Sequence, residues 1–223
     1  MKLKISEVGK ILKTINKFQS IEFNTTLPVK LEVKEKINDI KYLALLGKKE
    51  VITKSFIPLK PGKYFAIIKD FKGNLEISNL KELSSTALMF EKIKLQKGIV
   101  KLNKKSILNH LANASSKEEF IFFMNILIAL NQKIHHIIIN EEKKALLQYK
   151  FHKNKLKFYA VFNNLGEIEG EIFENILNIY SPFKNTLKII EQNSHMINLK
   201  VNTFLKDTKP IYEFSKNLID LKA

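Results

Sequence analysis

The chain has 223 residues, 45% hydrophobic and 27% charged, a globular composition with enough length for one large domain or two small ones. It has 0 cysteines, which excludes a disulfide framework and a thiolate metal site, and its 7 glycines and 5 prolines argue against long flexible linkers. The formal charge is +16 and every basic residue is lysine, which excludes the bidentate guanidinium fork favoured for phosphate and guanine recognition.

Residues 2–18 predict a short amphipathic helix, with Leu3, Val8, Ile11, Leu12 and Ile15 along one side and lysines on the other. Lysines interrupt this stretch too often for a cleaved signal peptide. The longest apolar run, Phe120–Leu130, is broken by Asn125 and is too short to span a bilayer. The expected location is cytoplasmic, or outside the cell by a route without a cleaved signal.

Residues 21–80 change to period two. Val29, Leu31 and Val33 alternate with Lys30, Glu32 and Lys34, and further strands are predicted at 42–46, 51–57, 64–69 and 75–77. Turn signals at Gly47-Lys48-Lys49, Pro61-Gly62 and Lys72-Gly73-Asn74 separate them. Pro61-Gly62 suits a tight turn with positive φ at the glycine. A small antiparallel barrel or sandwich is expected. Its aromatics (Tyr42, Phe56, Tyr64, Phe65, Phe71) are scattered rather than gathered on one face, which favours a structural core over a base-stacking platform.

Residues 81–140 read as a mainly helical connector. Leu80–Leu95 is ambiguous, 106–114 is helical, and Ser116 is placed to cap a helix running to Leu130. Residues 141–223 read as the last unit. Strands are expected at 146–151, 156–162, 166–173, 176–180 and 197–201, with one helix from Pro182 to Asn193 and another over 210–221. The fold class is α+β, with an antiparallel sheet backed by helix on one face.

Chemistry candidates are few. His135-His136 beside Glu141-Glu142 has metal-binding atoms, but adjacent histidines lack the helical i, i+4 spacing of a zinc site. His110, His152 and His195 stand alone. Glu167, Glu169 and Glu171 share one strand face, suited to solvent, to a partner, or to lysines from the neighbouring unit. No glycine-rich phosphate loop, dinucleotide fingerprint or nucleophile elbow occurs. Neither catalysis, a cofactor nor a metal is expected.

The segment from Leu165-Gly166-Glu167-Ile168-Glu169 through Leu177–Tyr180, the helix Pro182–Asn193 and Ile197–Val201 resembles the C-terminal domain of bacterial flagellar hook-length control proteins. Leu46-Gly47-Lys48-Lys49 and Ile57–Gly62 are similar to a small β domain that some of those proteins carry upstream. The resemblance covers about half the chain and no ruler-like low-complexity tract accompanies it, so a paralogue or regulator fits as well as the length-control protein. It implies a non-enzymatic role at a flagellar type III export gate, with export-gate or hook proteins as partners. Leu165, Gly166, Glu167, Glu169, Glu171, Phe183 and Leu187 are the expected partner-binding residues. The alternative is a binder of nucleic acid or an anionic surface through the N-terminal half, where residues 1–105 hold 23 Lys against 10 acids, net +13.

Overall fold

The structure is a computed structural model that describes residues 27–71, 74–95 and 97–217. The helix expected over 2–18 lies outside the described residues.

Alternation in the first strands folds into a closed barrel. Strands β1 (Val29–Lys36), β2 (Lys41–Leu46), β3 (Lys49–Lys54), β4 (Gly62–Phe71) and β5 (Asn74–Glu82) run in the order β1-β2-β3-β5-β4 and close through β4–β1. Pairing is antiparallel except between β3 and β5. Leu31, Val33, Tyr42, Ala44, Tyr64, Ala66 and Ile77 fill the interior. Leu59, from the loop after β3, plugs it, and the Leu59 N–H donates to the Tyr42 hydroxyl at 3.2 Å. The aromatics Tyr42, Tyr64 and Phe65 are thus core residues. Gly62 lacks the positive φ expected of a turn and instead opens β4; Gly47, in the β2–β3 hairpin, has φ +64.

After the barrel come α1 (Ser85–Lys92), β6 (Gly98–Leu102), α2 (Lys104–Ala112), α3 (Lys117–Asn131), β7 (His135–Asn140), β8 (Lys144–His152), β9 (Lys155–Phe162), β10 (Gly166–Phe173), β11 (Ile176–Ser181), α4 (Lys184–Gln192) and β12 (Lys200–Leu205). The seven strands form one sheet in the order β12-β11-β10-β9-β8-β7-β6. β6 and β7 therefore extend the sheet of the last unit, and no break falls at residue 140. Three of the four described α-helices start at a side-chain cap. Ser84, Asn103 and Ser116 cap α1, α2 and α3 by accepting from Ala87, Ser106 and Glu119 N–H groups.

Both faces of this sheet are covered, where helix on one face was expected. Ile137, Leu147, Phe158, Ile168 and Leu177 pack with Leu187, Ile189 and Ile190 of α4. On the opposite face, Ile138 and Leu146 meet Phe122, Phe123 and Ile126 of α3 and Met89 and Phe90 of α1. Further along that face, Tyr159 and Val161 pack on Phe65 and Ile67 of barrel strand β4. Double coverage explains why β7 and the first half of β8 read as nearly continuous apolar runs.

Two segments differ from expectation. The last strand begins at Lys200 rather than Ile197, because Ile197 is buried against the sheet core as the chain leaves α4. β12 then pairs parallel to β11 from Ile176↔Lys200 to Ser181↔Leu205. The expected C-terminal helix does not form over 210–217, which is irregular. Side chains from α1, α3 and β8 take up its backbone hydrogen-bonding groups instead.

The β9–β10 hairpin turns through residues 163–165 and closes with Phe162↔Gly166. Gly166 has φ +76, the left-handed geometry that follows a three-residue hairpin loop. A Cβ there would also lie 2.9 Å from the Phe183 ring and 3.5 Å from Pro28. Gly166→Ala is expected to cost about 1–3 kcal/mol through φ strain plus this clash. Denaturant unfolding measures it; an unchanged midpoint would show that the turn does not need glycine.

Candidate functional site

β10 sets Glu167, Glu169 and Glu171 on one face, as alternation requires, but their surroundings differ sharply. Glu167 is fully buried in the seam between sheet and barrel. Its Oε1 accepts from the Ser84 N–H at 3.0 Å, and its Oε2 lies 3.5 Å from Lys81 Nζ. Lys81, on barrel strand β5, also donates to Asp207 Oδ1 at 2.5 Å and to the Thr208 carbonyl at 2.6 Å. One ammonium thus joins barrel, sheet and C-terminal segment, the lysine-to-acid contact that the glutamate face is suited to make. Burial raises the Glu167 carboxyl above its usual range, opposed by the Ser84 N–H and Lys81. Burial acts on Asp207 in the same direction, but hydrogen bonds from Lys81 and the Thr208 N–H outweigh it and hold the group low.

Other lysines also have partners within the chain. Lys30 and Lys63 flank Glu91 of α1 at 3.5 and 2.9 Å, and Lys30 donates to Asn163 Oδ1 at 3.1 Å. Lys144 donates to the Phe90 and Ile93 carbonyls at the end of α1, a favourable place for a cation.

Leu165, Gly166, Phe183 and Leu187 are buried as well. With Glu167, five of the seven residues expected to bind a partner are internal. Phe183 meets Phe65 edge-on at 6.5 Å across the seam, and Leu187 belongs to the sheet core. The correction has a physical cause: alternation separates the two faces of a strand but does not tell which face the rest of the chain covers.

Glu169 and Glu171 lie where that coverage ends. Glu169 accepts from the Lys209 N–H at 3.4 Å. Glu171 pairs with Lys155 at 2.5 Å and, although burial opposes it, the lysine holds its carboxyl below the usual range. Register continues their face outward along the rows Glu169↔Tyr180↔Phe204 and Glu171↔Asn178↔Asn202. Tyr180 and Phe204 stack at 5.3 Å, with Lys206 Nζ 5.1 Å above the Tyr180 ring. Phe204 is 45% exposed and Leu205 65%.

β12 is the terminal strand of the sheet, so its outer edge has no strand neighbour among the described residues. An open edge bordered by aromatic and apolar side chains is suited to accepting an added strand: backbone groups supply affinity and alternate side chains specificity. Sequence reasoning missed Tyr180, Phe204 and Leu205; the signal was the adjacent pair of large apolar residues closing the last strand.

The polar groups beside the seam and on β7 are held as follows. Ser84 Oγ lies 2.9 Å from the Tyr159 hydroxyl beside Glu167, but it also accepts the Ala87 N–H as the cap of α1, while burial pushes Tyr159 well above its usual pKa. His135 and His136 point to opposite faces of β7: His135 stacks on Tyr149, whereas His136 is buried near Phe214. Among the described residues there is no group of three or more His, Asp or Glu placed to hold a metal. No described helix is long and apolar enough to cross a membrane. Comparison of the chain with protein-family models, curated proteins and solved structures finds no match.

Lys81→Met is expected to destabilise the fold by about 3–5 kcal/mol, because it leaves the Glu167 carboxylate buried without its cation. Adding Glu167→Leu should recover much of the loss. Additive losses in denaturant unfolding would contradict a coupled pair.

His136 supplies a pH signature. Burial, reinforced by His135, lowers its pKa from 6.5 to about 3. The unfolded chain therefore takes up a proton that the folded chain refuses, and this contribution to stability is lost as pH falls from 6.5 towards 3. His136→Phe should flatten the pH–stability curve over that window; parallel curves for the two proteins would show that His136 protonates freely in the folded state.

Proposed function

We propose that this chain is a non-enzymatic protein-binding module of the hook-length-control type, acting with a flagellar type III export apparatus through the open β11–β12 edge of its sheet. The observation that carries the contact mode is the β12 edge, without a strand neighbour among the described residues, where Phe204 is exposed beside Tyr180 and Leu205 is exposed on the opposite face. The flagellar context rests on the resemblance of Leu165–Val201 to that family. Leu165, Gly166, Glu167, Phe183 and Leu187 hold the module together, and Glu169 and Glu171 border the contact surface. The partner is an export-gate or hook protein that supplies an extended strand. Action in the cytoplasm, or after passage through the export apparatus without a cleaved signal, belongs to the same reading.

A nucleic-acid or anionic-surface binder draws on net charge and on the five-stranded barrel. In oligonucleotide-binding barrels of five strands the β2–β3 face is the usual platform. Here the outward rows of that region are Lys41↔Lys54, Glu35↔Leu43↔Ile52 and Glu32↔Leu45↔Glu50, a mixed surface with no aromatic side chain. Lys30, Lys63 and Lys81 are engaged by acids of the seam.

In the source organism, deletion of the whole chain should abolish motility or alter hook length. The double substitution Phe204→Asp, Leu205→Asp should do the same while leaving the thermal melt of the purified protein nearly unchanged. Normal hooks and filaments in both strains would overturn the proposal. Retention on DNA or RNA that weakens steeply with salt would favour the charge-based reading instead.

A further inference from the structure

Residues 212–215 are bound by the rest of the chain as a receptor binds a peptide. Gln148 of β8 clamps both backbone groups of Tyr212: its Oε1 accepts the N–H at 3.1 Å and its Nε2 donates to the carbonyl at 2.8 Å. Asn125 of α3 does the same for Ser215, with both contacts at 2.9 Å. Thr86 of α1 donates to the Tyr212 carbonyl at 3.2 Å and accepts the Phe214 N–H at 3.0 Å. Ser85 Oγ donates to the Phe214 carbonyl at 2.6 Å. Thr86, Asn125 and Gln148 are each 0% exposed.

Two side chains of the segment are also read. Phe214 is buried against Phe122, edge-on at 5.4 Å, and beside His136 at 5.6 Å. Glu213 Oε1 accepts from the Ser85 and Thr86 N–H groups at the start of α1, at 2.6 and 3.3 Å, where a carboxylate is favoured.

A buried amide or hydroxyl is costly unless it is hydrogen-bonded. An ordinary core would place apolar residues at these three positions. Here three elements each contribute a buried polar group aimed at main-chain atoms, and such contacts tolerate any sequence. Selectivity then falls to the Phe pocket and the acid site beside it, the division of labour found where extended peptides are recognised.

We propose that the groove formed by α1, α3 and β8 is a peptide-binding site that Tyr212–Ser215 fills in cis, and that its ligand in trans is an extended segment of a partner protein bearing an acidic residue followed by Phe. The groove lies on the α1/α3 side of the sheet, away from the β12 edge, and the inference does not depend on the flagellar reading. Release of the tail also withdraws Asp207 and the Thr208 carbonyl from Lys81, so an incoming segment loosens the seam between barrel and sheet.

The test uses the full chain with a protease site inserted between Lys206 and Asp207, cut after folding. The probe is a fluorescein-labelled peptide with the sequence of Asp207–Asn217, followed by anisotropy. Saturable exchange into the cut protein is expected, with at least tenfold weaker binding to the uncut chain, where the tethered tail competes. Peptides with Ala in place of Phe214 or Lys in place of Glu213 should each bind at least tenfold more weakly; equal binding would overturn the assigned selectivity. A cut chain that stays folded but takes up no peptide would overturn the site, as would one that melts when its tail leaves. Concentration-dependent dimers that exchange tails but exclude the peptide would assign the groove to a second copy of the chain instead.

Discussion

The Lys81 ammonium is where the parts of this protein meet. It rises from a barrel strand, lies beside a carboxylate buried in the sheet, and holds the start of the C-terminal segment through Asp207 and Thr208. Beside it, Phe65, Ile67, Leu83, Tyr159, Val161 and Phe183 form an apolar seam. Apolar contact supplies most of the attraction across such a seam, while a buried ion pair fixes register, because its loss in any shifted arrangement leaves charge unsolvated. The barrel is therefore oriented on the sheet by polar contacts, Lys81 with Glu167 and Lys30 with Asn163, set beside an apolar one.

That constraint determines which surface remains for function. With the barrel over β9 and β10, α1 and α3 over β7 and β8, and α4 on the opposite face, the sheet is enclosed except towards β12. The aromatic pair Tyr180–Phe204 sits where the barrel's cover ends, with Glu169 and Glu171 on the boundary. The same enclosure leaves a groove between α1, α3 and β8, which the tail fills. The proposed strand addition at the β12 edge and the clamping of residues 212–215 in the cleft would then use separate parts of one scaffold.

Much of the local structure was legible in the sequence. Period-two runs located β1, β9, β10 and β11, and Ser116 marked the start of α3. Coverage was not legible, because alternation is the same whether one face or both are buried, and this misplaced Glu167 on the surface. The tail was misread for a related reason. Ile211, Phe214 and Leu218 recur at i, i+3 and i+7 and so imitate helical spacing, whereas the groups that satisfy the backbone of 212–215 lie 64 to 129 residues away. Asn125 was the one visible sign: a single amide interrupting an otherwise apolar helix marks a backbone that needs a partner.

Native-state amide hydrogen exchange tests the central claim most directly. If the Lys81 seam joins barrel and sheet into one cooperative body, the slowest amides of β4 and β5 open with the same free energy as those of β8 and β9. The amides of Tyr212, Phe214 and Ser215 open at a lower one. A barrel that exchanges independently of the sheet, at its own smaller opening free energy, would contradict the account.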